Sequence, residues 1–240
     1  MVNYKGQTTV NKWVSIAQTA LYPPRCRLCG DPGAEGLDLC APCRAELPWN
    51  VPRCPRCALP TGDDGGCPCR ARALPFSRAV VPLRYEGEVQ ALVGAFKFHG
   101  RLADGQLLGG LLARALRQEA GSPLPEAIVP VPLHARRLRQ RGFDQTAELA
   151  RALRRQLAPL PLRRALGRHR GGARQAGLPA QARLGNIRGA FTAQPRRTPR
   201  HAALLDDVVT TGATAEEAAW QLLAAGAERV DLWAVARTPA

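Results

Sequence analysis

The chain has 240 residues, is 45% hydrophobic and carries a formal net charge of +15, enough length and apolar content to bury a core and too much for a disordered polyelectrolyte. No stretch approaches the ~18 consecutive apolar residues of a membrane-spanning helix, and the N-terminus, interrupted by Asn11 and Lys12, lacks a secretory pattern. The expected location is therefore the cytoplasm.

Residues 1–22 read as an N-terminal helix: "WVSIAQTALYPP", beginning at Trp13, is amphipathic and stopped by Pro23. Residues 23–74 hold all eight cysteines, as Cys26-x2-Cys29, Cys40-x2-Cys43, Cys54-x2-Cys57 and Cys67-x-Cys69, separated by 10, 10 and 9 residues. Two such knuckles supply the four thiolates of a closed, structural zinc site, so four of them predict one or two zinc ions. A disulfide framework is the alternative, and it needs an oxidising compartment. Sequential pairing joins Cys26, Cys29, Cys40 and Cys43, then Cys54, Cys57, Cys67 and Cys69; alternate pairs forming a cross-brace remain open. So short a segment, rich in Gly, Pro and charge, needs the metal to fold.

Residues 75–240 form the main domain. "RAVVPLRYEG" reads as a strand entering a turn, and "VQALVGAFKF" as a helix with Val89, Leu92, Val93 and Phe96 on one face. "QLLGGLLARALRQEA" is a longer helix with Gly121 as its stop. "EAIVPVPLH" is a buried strand ending at Pro130 or Pro132, and "DQTAELARALRRQL" a helix with Asp144 as N-cap and Glu148 near its first turn. Order is expected to be lowest over Gly167 to Pro179, with a linker at "TAQPRRTPR". "HAALLDD" is a strong strand, "TAEEAAWQLLAAG" a helix capped by Thr214 and closed by Gly226, and "RVDLWAVAR" a last strand. This alternation predicts an α/β fold, a parallel sheet covered by helices on both faces.

The charge is unevenly placed. Between His134 and Arg200 stand 17 arginines and two acids, Asp144 and Glu148, a surplus equal to the net charge of the whole chain. Genomic base composition accounts for arginine over lysine but not for this concentration, which argues for a polyanionic or phosphorylated ligand.

The segment "LLDDVVTTGAT", Leu204 to Thr214, runs from a strand end through a tight turn into a helix. Ligands of such sheets collect beyond the carboxyl ends of the strands, and the N–H groups of a helix N-terminus attract anions. Thr210, Thr211, Gly212, Ala213 and Thr214 thus suit a monophosphate, with no Walker-type Gly-Lys-Ser/Thr present. Two adjacent carboxylates beside an anion cradle need hydroxyls or Mg²⁺ of their own. A ribose 5-phosphate meets both needs.

"LLDDVVTTGAT" resembles the phosphoribosyl-pyrophosphate (PRPP) motif of type I phosphoribosyltransferases. The Cys-pair head, "FKFHG", "VPVPLHARRLRQRGFDQ" and "QAGLPAQARLGNIRGAF" occur in this order in the competence-associated ComF/ComFC family, and the resemblance spans about Pro23 to Arg237. It implies a type I phosphoribosyltransferase-like domain behind a zinc module, with Asp206 and Asp207 on the ribose hydroxyls and Mg²⁺, and Thr210 to Thr214 on the 5-phosphate. Lys97, His134, Arg137 and Arg141 would then face the pyrophosphate. Two departures are Asp144, where the family pattern usually has Asn, and Arg101, where it often has Asp. His99, His134 and His169 are available for proton transfer, but neither a catalytic residue nor an acceptor is specified. The resemblance also implies a role in DNA uptake and transformation. That leaves a rival reading: a non-catalytic protein, regulated by PRPP, that binds single-stranded DNA through the Arg-rich 134–200 segment, with Trp49 or Phe143 stacking on bases. A scaffold for competence proteins at the inner face of the membrane is a third.

Overall fold

The computed structural model describes residues 23–62, 66–119, 123–157, 160–169, 187 and 189–239. The expected N-terminal helix of residues 1–22, the stop at Gly121 and most of the Gly167–Pro179 stretch lie outside them. The chain divides into two compact units, Met1–Leu47 and Pro48–Ala240. No helix among the described residues is long and apolar enough to cross a membrane.

Within the first unit the chain makes a tight knuckle at Cys26–Cys29, closed by bonds from Gly30 N–H to the Cys26 carbonyl (2.9 Å) and Cys26 N–H to the Asp31 carbonyl (2.7 Å). Helix α1, Ala41–Ala45, follows with Cys40 at its N-cap, and Arg44 grips Glu35 with both guanidinium nitrogens.

The second unit is built on a parallel sheet. Its strands are β1 (Arg78–Val80) and β2 (Leu83–Arg84), which pair with opposite ends of β7 (Arg229–Arg237), then β6 (His201–Val209) and β3 (Ala127–Pro130). Residues 161–163 extend the edge beyond β3 through a parallel bridge, Ile128 to Leu162. Val230, Leu232 and Ala234 of β7 share a core with Ala215, Ala218, Ala219 and Leu222 of helix α6 (Ala213–Ala224). Alternate side chains of a strand point to opposite faces. The other face packs against helices α3 (Leu102–Gln118) and α5 (Gln145–Gln156), so helices cover both sides as expected. Trp233, Leu204 and Leu205 are at most 1% exposed, each worth about 1.5–3 kcal/mol in burial.

Helices α3 and α5 touch at Gly109, where an added Cβ would lie 2.5 Å from the Ala152 Cβ; only glycine allows that approach. Helix α2 (Gly87–His99) packs on α3, and helix α4 (Ala135–Arg141) follows β3. An antiparallel pair of strands, β4 (Leu166–Arg168) and β5 (Phe191–Ala193), lies against α6. β3 stops at Pro130, the earlier of its two expected ends, and two details differ from the sequence reading. β6 continues two residues past Asp207, and α6 is capped by Gly212 instead of Thr214. The cap moves because Gly212 takes φ +88°, a left-handed turn that starts the helix at once and leaves Thr214 inside its first turn.

Candidate functional site

The cysteines form two sets, Cys26, Cys29, Cys40 and Cys43, and Cys54, Cys57, Cys67 and Cys69. In each set all four sulfurs lie within 4.8 Å of one another. Tetrahedral thiolates on zinc, at roughly 2.3 Å per bond, stand about 3.8 Å apart. The recorded spacings of 3.6 Å (Cys29–Cys40), 3.5 Å (Cys54–Cys69) and 3.4 Å (Cys57–Cys67) therefore fit that metal closely. The sets follow the sequential pairing and leave no cross-brace. Four sulfurs per ion leave no open position, so both sites serve folding.

A second constellation gathers at the C-terminal end of the sheet. β6 pairs along its length with β7 and over Ala202–Leu205 with β3, so its last residues emerge between two neighbours. There Asp207 Oδ1 accepts from Lys97 Nζ at 2.7 Å and from its neighbour's N–H, that of Val208, at 2.6 Å. The Asp207 N–H in turn donates to Asp206 Oδ1 (2.8 Å). Burial pushes the Asp206 carboxyl up to about 7, and the Asp207 charge adds to the shift, while the Asp207 N–H, Lys97 and Arg168 pull it down. One of the two carboxylates is thus poised to gain or lose a proton near neutrality.

Beyond β6, Thr210 and Thr211 are exposed and Gly212 opens α6. No side chain caps this N-terminus; the Thr211 hydroxyl makes only a long contact, 3.4 Å, with the Ala213 N–H. Helix amides left this way, at the positive end of the dipole, are an anion cradle. The Thr210 carbonyl is held from behind by Arg237.

The cations arrive from separate elements. His134 caps α4, its Nδ1 accepting from the Arg136 N–H (3.2 Å). Arg137 and Arg141, four residues apart on α4, share one side of that helix. Burial lowers the Arg141 pKa and Arg137 lowers it further, while Asp207 opposes both. Its guanidinium also covers the Phe98 ring at 5.1 Å. Burial likewise lowers the Arg168 pKa; Arg137 contributes in the same sense and Asp206 in the other. Arg168 stacks over Phe191 at 5.0 Å. Lys97 is engaged with Asp207, so it holds the carboxylate as well as contributing charge. The arrangement joins Asp206, Asp207, Lys97, Arg137 and Arg141, all singled out from the sequence, and adds Arg168 and Arg237, which were not. His99 and His169 are exposed, and His169 Nε2 bonds the Thr192 hydroxyl.

Asp144 caps α5 as expected, its Oδ1 accepting from the Ala147 N–H (3.2 Å) and lying 2.8 Å from the Thr146 hydroxyl, which also reaches the Val131 carbonyl. It borders a cleft of about 450 Å³ with Pro132, Leu138, Phe143, Glu148 and Arg164. The neighbouring Gln145 is fully buried, and neither its Nε2 nor its Oε1 has a hydrogen-bond partner.

Comparison with known proteins bears on both constellations. Residues 17–72 match the double zinc ribbon domain. DNA utilization protein YhgH of Salmonella typhi is 35% identical over 224 residues, covering 90% of this chain and 98% of that protein. Its counterpart in Escherichia coli K12 is 35% identical over 222 residues, with the same coverage. Competence protein F of Haemophilus influenzae is 30% identical over 204 residues, 82% of this chain and 84% of that one. Among solved structures, the glutamine PRPP amidotransferase of B. subtilis complexed with ADP and GMP is similar at a TM-score of 0.37 and 22% identity. That match covers 55% of this chain and 26% of the other, and is too loose to carry weight.

Proposed function

The chain belongs to the ComF family, and from that premise we propose that it binds PRPP at the C-terminal end of β6 and acts in the uptake and use of DNA. What supports the reading is one strand–turn–helix segment that presents two carboxylates, Asp206 and Asp207, directly before the uncapped N-terminus of α6. An anion alone would be repelled by the carboxylates; a phosphorylated sugar is recognised by both parts. Its 2′ and 3′ hydroxyls donate to Asp206 and Asp207, its 5-phosphate accepts from the amides and hydroxyls of residues 210–214, and its pyrophosphate meets Arg137, Arg141 and His134. Mg²⁺ belongs to the proposal: the two carboxylates offer it hard oxygen ligands, and it would supply further charge neutralisation to the pyrophosphate.

Such a site supports phosphoribosyl transfer. The bond from ribose C1 to pyrophosphate breaks, C1 gains oxocarbenium character, and an acceptor lone pair forms the new bond while its proton passes to a base. Fixed arginines placed where leaving-group charge develops are the residues that accelerate this step. Calorimetry with PRPP and Mg²⁺ tests the proposal. The wild type should bind, and Asp206→Asn with Asp207→Asn should weaken binding at least tenfold; a wild type that binds nothing would sink it.

A second reading is favoured by the names of the relatives together with the exposed arginines 136, 139, 154, 155, 163 and 164. Arginines that contact a nucleic-acid backbone give salt-dependent binding with little sequence preference. Fluorescence anisotropy with single-stranded DNA should show affinity falling steeply with salt. Affinity indifferent to salt would remove the arginines from that role.

A further inference from the structure

The two zinc sites are alike in chemistry but differ in what they are tied to. The set of Cys54, Cys57, Cys67 and Cys69 lies in the same compact unit as the sheet. Its first knuckle is fastened to β1 by a bond from the Ala79 N–H to the Pro55 carbonyl, 2.7 Å. Asn50, itself fully buried, donates from Nδ2 to the carbonyls of Ala58 (2.9 Å) and Val81 (3.0 Å). Ala58, the residue after Cys57, is buried in the same core as Ala215, Ala218 and Leu222 of α6. The ribbon is therefore packed into the domain that carries the anion loop.

Two arginines make the connection specific. Arg237, the last residue of β7, is 5% exposed, and its Nη1 donates to the Thr210 carbonyl while its Nε finds no partner. A buried guanidinium keeps its charge and needs negative charge nearby. Glu216, in the first turn of α6, supplies it from close by. Arg72, three residues beyond Cys69, pairs with Glu216 at 2.8 Å, and Glu216 stands in the first turn of α6. Glu216 Oε1 and Arg237 Nη1 would lie 3.3 and 4.0 Å from a Cβ at Gly212, so all three meet at the cradle itself.

Filling the site fixes the ribbon, and with it Arg72, against the first turn of α6. Arg72, fixed by the same fold, neutralises the Glu216 carboxylate, which would otherwise repel a phosphate at this helix end.

We propose that the second four-cysteine site is a positioning element of the anion loop, so that zinc occupancy at Cys54, Cys57, Cys67 and Cys69 and phosphate binding at residues 210–214 are thermodynamically coupled. The proposal rests on the phosphate reading of that loop. The set Cys26, Cys29, Cys40 and Cys43 takes part in none of these ties, and its occupancy is independent of the ligand. Coupling of this kind is reciprocal: a phosphorylated ligand retards zinc loss by the factor through which zinc raises the ligand's affinity.

The test follows zinc release from the full chain to a chelator, counted by native mass spectrometry, with and without saturating ribose 5-phosphate. One of the two zinc ions should leave at least tenfold more slowly with the ligand present, and the other at an unchanged rate. Because Cys57→Ser risks misfolding, the companion variant is Arg237→Met, which leaves all eight cysteines in place. It should retain two zinc ions, bind ribose 5-phosphate at least tenfold more weakly, and release both ions at rates that the ligand no longer separates. Equal release rates in a wild type that binds ribose 5-phosphate would overturn the coupling, as would an Arg237→Met protein that preserves it. A wild type showing no calorimetric heat with ribose 5-phosphate or PRPP would overturn the loop reading beneath it instead.

Discussion

Replacing Lys97 with methionine isolates the charge that holds the two carboxylates together. Lys97 Nζ sits 2.7 Å from Asp207 Oδ1, with side chains only 16% and 14% exposed. At an effective dielectric of 20 the direct attraction at that distance is about 6 kcal/mol, but desolvation of both groups and the remaining Val208 N–H bond offset much of it. We expect a net loss of about 2 kcal/mol at pH 8, or roughly 4–8 °C in Tm for a chain of this size. The loss should depend on pH. The folded pKa of Asp206, about 7, lies above its ordinary value of 3.8, so the folded state holds its proton more tightly than the unfolded state does. The stability cost of ionising Asp206 therefore grows from about pH 4 and is complete above about 7. Without Lys97 that pKa rises further, and repulsion from Asp207 is felt fully only at higher pH. Urea melts of wild type, Lys97→Met, Asp207→Asn and the double variant, at pH 6 and pH 8, measure this as a coupling energy. A coupling near zero, or the same loss at both pH values, would mean that Lys97 does not hold the two carboxylates together.

Other outcomes follow from single residues. Gly212→Ala forces a side chain into a left-handed conformation and to within 3.3 Å of Glu216 Oε1; we expect a loss of about 1–2 kcal/mol and weakened ribose 5-phosphate binding, read by thermal melts and calorimetry. Gln145→Leu removes two buried polar atoms without partners and should stabilise the protein by about 1–2 kcal/mol in urea melts; destabilisation would mean the amide has a partner. Affinity for PRPP with Mg²⁺ should rise up to tenfold per pH unit as pH approaches about 7, then level off, because Asp206 must be ionised to serve; its charged neighbours are Asp207, Lys97 and Arg168. Asp206→Asn should flatten that profile.

The parts of the site written in consecutive residues were open to reading from sequence. "LLDDVVTTGAT" carries its own strand, turn and helix start, the cysteine spacing carries its metal geometry, and Asp144 caps α5 from within its own helix. What escaped depends on pairings across the chain. Arg168 acts on the Asp206 charge because β4 pairs with β5 across a long connection, Arg168 opposite Phe191, and local periodicity does not encode such a pairing; the sequence around it looked only basic and glycine-rich. Lys97 meets Asp207 across 110 positions and Arg237 meets Thr210 across 27, each joined by the sheet and its covering helices. Thr214 was expected to cap α6 by residue type, and it was displaced by a glycine two positions earlier whose backbone alone could make the turn.

The most direct measurement is a crystal structure of the zinc-loaded protein with PRPP and Mg²⁺. The 5-phosphate should lie on the amides and hydroxyls of residues 210–214, the ribose hydroxyls within hydrogen-bond reach of Asp206 and Asp207, and the pyrophosphate toward Arg137 and Arg141. A PRPP molecule seated elsewhere, such as the cleft beside Phe143, or turned with its pyrophosphate on the α6 N-terminus, would contradict it.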